Sequence, residues 1–188
     1  KNNGPLTSFM GAFLFGFRQG NNLRTWDKYV EEAIARKNIN LVRDVSNSFF
    51  YCKDLRSVRK KDIELLSQMI RKEKPFNFLR KAKKNELLNL SFSLIRILVK
   101  IYKSHKKQME ILIRTLIERD KNNEYLYIYV DQLGFPTHRK EIDLSEWSSK
   151  NIESILDKLV ELRGLDDQAQ LLLLAIAETD FPSAMEVF

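Results

Sequence analysis

The side chains best suited to covalent or acid–base chemistry are Cys52, His105, His138 and the carboxylate pairs Glu31–Glu32 and Asp166–Asp167. A thiol becomes a nucleophile only beside a base or in a field that lowers its pKa. Cys52 follows Phe49, Phe50 and Tyr51, an apolar setting that predicts an inert buried thiol. His105 stands among lysines and His138 follows a proline turn, and neither has a cysteine or carboxylate at ligand spacing, so no metal is expected. Adjacent residues on a helix point about a hundred degrees apart. Glu31 and Glu32 therefore cannot flank one scissile bond, and Asp166–Asp167 read as capping charge at a helix start. Gly11 and Gly16 have the spacing of a phosphate loop but precede Phe17-Arg18 where Lys-Ser/Thr is required. The sequence assigns no catalytic residue, no cofactor and no small-molecule substrate. The chain reads as non-enzymatic.

What the sequence does supply is ordered positive charge. Between Arg71 and Lys84 stand seven basic residues, Arg71, Lys72, Lys74, Arg80, Lys81, Lys83 and Lys84, against one acid, Glu73. Phe76 and Phe78 lie between the two clusters, and Pro75 disfavours helix at Lys74, which predicts a connecting segment here. Farther on, Arg96, Lys100, Lys103 and Lys107 fall at i, i+4, i+7 and i+11, one stripe along a helix. These eleven cations are the candidate phosphate-binding residues, with Phe76, Phe78 and Tyr102 as candidates for base stacking. The competing readings are a solvated lysine face and core aromatics.

The formal charge of +7 is unevenly spread: the first 120 residues carry +14 and the remainder −7. A basic body attracts polyanions, whereas an acidic end repels them and suits a protein partner. At 188 residues and 22.2 kDa the chain is long enough for one core. With 44% hydrophobic and 30% charged residues it reads as folded, and the single cysteine predicts a reducing, intracellular setting. The apolar run Phe9–Phe17 is under half of the ~20 residues a membrane span needs; Phe9, Phe13 and Phe17 share one face of an expected buried helix, and no membrane association is expected.

The elements that must carry these residues show internal repetition. The phrase Lys-x-(Ile/Met)-Glu begins at Lys61, Lys107 and Lys150, 46 and then 43 residues apart. Apolar triads follow in step: Ile63, Leu66, Ile70; Met109, Leu112, Leu116; Ile152, Ile155, Leu159. Their i, i+3, i+7 spacing is one helix face, with the lysines and glutamates expected in solvent. Upstream, Val45-Ser46-Asn47-Ser48-Phe49 matches Leu90-Ser91-Phe92-Ser93-Leu94 at an offset of 45. These correspondences predict an all-α fold of helical hairpins stacked as a short α-solenoid, a right-handed superhelix; the competing arrangement is a non-repetitive bundle. Within a single helical domain, residues 1–37 form N-terminal helices, residues 38–120 two hairpin repeats, residues 121–147 an irregular insert and residues 148–188 the C-terminal helices. Thr25 is expected to cap the helix from Trp26. Tyr125–Val130 alternates as a strand does, so residues 125–144 hold either a small β-hairpin or a short helix ending at Gly134. Arg163–Gly164 is expected to end one helix and Asp166 to start a very apolar one through Leu171, Leu174 and Ile176.

The segment NINLVRDVSNSFFYCKDL and its echo NELLNLSFSLIRILV resemble the first helices of degenerate repeats in organellar RNA-binding families, namely the FAST-kinase-domain and RAP-domain proteins and octotricopeptide-repeat proteins. The likeness covers residues 38–120. It implies a non-enzymatic protein bound to RNA or built into an organellar ribonucleoprotein such as a ribosome, hence a mitochondrial location. The alternative from composition is a protein–protein adaptor or scaffold that docks its partner at the acidic C-terminal helices.

Overall fold

The computed structural model describes residues 22–36, 39–50, 58–71, 83–120, 122–134, 142–162, 164 and 167–178. Outside them lie Gly11 and Gly16, the Phe9–Phe17 run, Cys52, Lys72, Lys74, Phe76, Phe78, Arg80, Lys81, His138 and Asp166. The fold is all-α. Its helices are α1 (Leu23–Arg36), α2 (Ile39–Phe50), α3 (Lys60–Arg71), α4 (Lys84–Ile101), α5 (Lys106–Arg119), α6 (Leu126–Gly134), α7 (Ser149–Val160) and α8 (Asp167–Ala177), with single 3-10 turns at Tyr102–Ser104 and Leu144–Glu146. The described residues fall into two compact units divided inside α4, between Ile97 and Leu98.

Each Lys-x-(Ile/Met)-Glu phrase begins at the second residue of its helix: Lys61 in α3, Lys107 in α5 and Lys150 in α7. All nine residues of the apolar triads are buried. The polar halves follow expectation with one exception. Lys61, Glu64, Lys107, Lys150 and Glu153 are exposed, but Glu110 is buried, because α7 supplies hydrogen bonds that hold its carboxylate inside.

In the first unit α1 packs against α2 and, less extensively, α3. Helix α1 starts three residues ahead of the expected Trp26: the Trp26 N–H donates to the Asn22 carbonyl at 3.1 Å, and Thr25 points its hydroxyl at Asn22 Oδ1 at 2.8 Å. Asn22 is thus the cap and Thr25 a first-turn residue. Trp26, Val30, Val42, Val45, Leu66 and Ile70 form the core. Arg59 ties α1 to the start of α3, its Nη2 donating to Asp27 Oδ1 at 2.6 Å and to the buried Asp62 at 2.8 Å. Ser46 and Ser91, matched at the offset of 45, are both buried and both donate to the carbonyl four residues back, Val42 at 2.9 Å and Leu87 at 3.0 Å. That bond lets a hydroxyl sit in an apolar helix face without a lost partner.

In the second unit α5 packs on α7, while α8 packs mainly on α6 and touches α7 and the Leu144–Glu146 turn. Of the two alternatives for Tyr125–Val130, the helix forms and runs to Gly134; no strand occurs among the described residues. Tertiary burial overrides the alternating pattern: Leu126, Ile128, Tyr129, Val130 and Leu133 are all buried, which a one-sided strand would not allow. The start of α6 is fixed by Asp120, whose carboxylate accepts the N–H groups of Glu124 at 3.0 Å and Tyr125 at 2.7 Å. Asn123 takes the left-handed conformation (φ 54°) that Asn tolerates well in such a turn. Helix α7 ends at Val160, and Gly164 has no positive φ, so it is not the expected left-handed cap. Helix α8 turns Ala169, Leu172, Leu173 and Ile176 inward, but Leu174, expected in the apolar face, is 56% exposed. No helix among the described residues is long and apolar enough to cross a membrane.

Candidate nucleic-acid interface

The cations divide between the two units. In the first, Lys83 and Lys84 are exposed at the start of α4. The Lys83 N–H donates to Glu86 Oε2 at 2.8 Å, the glutamate half of a capping box, which puts one carboxylate in the first turn. Three turns on, Arg96 is half-buried and its guanidinium lies 5.0 Å from the centroid of the Phe92 ring. Arg71 is the last residue of α3.

In the second unit Lys100 lies in the last turn of α4, where the helix dipole favours a cation. Lys103 and Lys107 are exposed. The expected stripe from Arg96 to Lys107 is not one helix. Helix α4 stops at Ile101, Lys103 sits in the 3-10 turn and Lys107 belongs to α5. His105, with φ −144°, makes the break, and its N–H donates to the Tyr102 carbonyl at 3.0 Å while the Ser104 hydroxyl donates to that of Ile101 at 3.0 Å. These bonds satisfy carbonyls that a continuing helix would use. Lys106 is committed to Glu146, with Nζ 2.7 Å from Oε1.

Tyr102 is not a stacking surface. It is 1% exposed, and its ring lies against Trp147 with centroids 6.2 Å apart and planes 26° from parallel. Burial pushes its hydroxyl up to about 12. Phe92 was not singled out in the sequence, where it falls inside an apolar repeat element, yet it is 38% exposed. The signal that marks it is the arginine four residues later, one helical turn away.

Several other polar groups make structural contacts. Glu31 pairs with Lys61 at 2.6 Å and Glu32 with Arg36 at 2.5 Å, so the two adjacent glutamates serve different partners. Glu110 Oε1 accepts the Ser148 N–H at 2.9 Å and the Asn151 amide, while Asn151 Oδ1 accepts Arg114 Nη1 at 2.7 Å. Among the described residues no group of three His, Cys, Asp or Glu side chains could hold a metal ion. The arrangement can hold polyanions by charge and offers an aromatic–cation pair to a planar ligand. On α7, by contrast, Glu153, Asp157 and Val160 are exposed on one face. No family model, no characterised protein and no solved structure matches the chain.

Proposed function

We propose that this chain is a non-enzymatic RNA-binding protein that contacts chiefly the phosphate backbone. The observation that carries the reading is the exposure of Lys83, Lys84, Lys103 and Lys107 in a chain whose first 120 residues carry +14. Phosphate contact by lysine and arginine releases counterions, so binding is salt-sensitive and weakly dependent on sequence. The helical-repeat reading and an organellar ribonucleoprotein setting in the mitochondrion belong to the same proposal through the resemblance of residues 38–120. Copurification tests it: nucleic acid that accompanies the protein at low salt and leaves at high salt is expected, and protein free of nucleic acid at both would contradict it.

A second reading rests on the acidic end. Glu153, Asp157 and Val160 on α7 and Leu174 on α8 suit a protein partner with basic and apolar groups. In this scheme the acidic helices face protein and the first 120 residues face RNA. Crosslinking in the native assembly separates the two. RNA adducts concentrated after Lys121, with protein adducts confined to residues 71–107, would reverse the assignment and favour the adaptor reading for the basic face.

A further inference from the structure

We propose that Phe92 and Arg96 on α4 form a stacking site for one unpaired nucleobase of single-stranded RNA. The inference rests on the RNA-binding reading and adds a strand preference that phosphate contact alone does not supply. An aromatic ring exposed by 38% on a helix of 18 residues loses free energy to water unless something covers it. Here the partial cover is a guanidinium, 5.0 Å from the ring centroid, which brings a planar cation against a planar apolar surface. A nucleobase extends such a pair, because every base has a π-face and arginine planes and aromatic rings both stack on it.

The surroundings fit the same occupant. Asn85 and Asn89 are exposed at i and i+4 along the face that continues through Phe92 and Arg96 at i+7 and i+11. Their amides are donors and acceptors of the type that reads a base edge. Lys83 and Lys84, both exposed, open the same helix and supply charge for the flanking phosphates. Glu86 is half-buried with its carboxylate turned to the Lys83 N–H. A duplex keeps its bases stacked on one another and has none to offer, so the site selects single strands.

The full-length chain is titrated with a short unstructured RNA carrying a fluorescent purine analogue, and with the matching duplex. Phe92→Leu is expected to weaken single-strand binding roughly tenfold, abolish quenching of the analogue, and leave duplex affinity and the salt slope unchanged. Phe92→Trp is expected to retain all of these properties. Equal single-strand affinity in Phe92→Leu and wild type, or equal losses for single strand and duplex, would overturn the stacking site while leaving phosphate binding intact. Absence of binding by the wild type to either RNA would overturn both. Photocrosslinking of the wild type to the same RNA needs no variant. An adduct within residues 85–96 is expected, and adducts confined to other segments would overturn the site.

Discussion

Arg59 and Asp62 make three hydrogen bonds: the Arg59 backbone N–H donates to Asp62 Oδ2 at 2.9 Å, and the guanidinium donates from Nη2 to Oδ1 at 2.8 Å and from Nε to Oδ2 at 3.4 Å. The same guanidinium spans 32 residues of sequence to reach Asp27 on α1. Asp62 is fully buried, and the guanidinium brings an opposite charge to its carboxylate. Truncation of Arg59 to alanine takes the opposite charge away from a buried carboxylate, and because the arginine itself is partly open to water the expected loss is on the order of 3 kcal/mol. Trp26 lies in the first unit and Trp147 in the second, so a Trp147→Phe background reports the first unit alone. In that background the denaturant midpoint of Arg59→Ala should fall with little change in slope. An unchanged midpoint would place the clamp outside the stabilising contacts.

Asp44 on α2 makes stability depend on pH in the opposite sense to a salt-bridged carboxylate. Desolvation pushes its pKa up to about 6, with nearby Arg43 lowering it only in part. The folded state therefore holds this proton more tightly than the unfolded chain. Stability is fully present at pH below about 4, declines as pH rises toward 6, and levels off above it. Asp44→Asn should match wild type at low pH and exceed it by about 1–3 kcal/mol near neutrality. Unfolding curves across this range check the difference, and parallel curves would show that burial does not raise this group.

Glu110 is the one glutamate of the three repeated phrases that turns inward, and it holds the first turn of α7. Its removal leaves the Ser148 N–H and the Asn151 amide without their acceptor. Glu110→Ala should cost about 2–4 kcal/mol and Glu110→Gln, which keeps a carbonyl oxygen, about half as much. Thermal melts followed by Trp147 fluorescence in a Trp26→Phe background read both. Equal losses in the two variants would mean that charge, not acceptor geometry, carries the contact.

Local periodicity made the helices legible, since burial repeats every turn and the nine triad residues needed only that rule. The matched serines at 46 and 91 were likewise visible, because each bond spans four residues of one helix. Contacts between distant segments left no local trace. Nothing near Glu110 indicates that Asn151 meets it from 41 residues away, and nothing near Asp27 indicates Arg59. Tyr125–Val130 alternates like a strand, but Leu126, Ile128, Tyr129 and Val130 are buried in α6 and only Tyr127 of the segment is exposed, so tertiary packing decides. A cationic stripe from Arg96 to Lys107 requires an uninterrupted helix, and the chain leaves helical dihedrals at Ile101 and again at His105, with a 3-10 turn between them. Phe92 is exposed although its neighbours Leu90, Ser91, Leu94 and Ile95 are buried, so apolar composition alone does not mark it.

Phosphate recognition by the cations of α4 and the following turn is tested most directly by the salt dependence of RNA affinity in a variant with Arg96, Lys100 and Lys103 all changed to glutamate. None of the three is fully buried, so the variant should fold. Each phosphate contact to single-stranded RNA contributes about −0.7 to the slope of log affinity against log salt, so loss of three should flatten the slope by about 2 and weaken binding at low salt by well over tenfold. A variant that binds with the wild-type affinity and the wild-type slope would contradict the account.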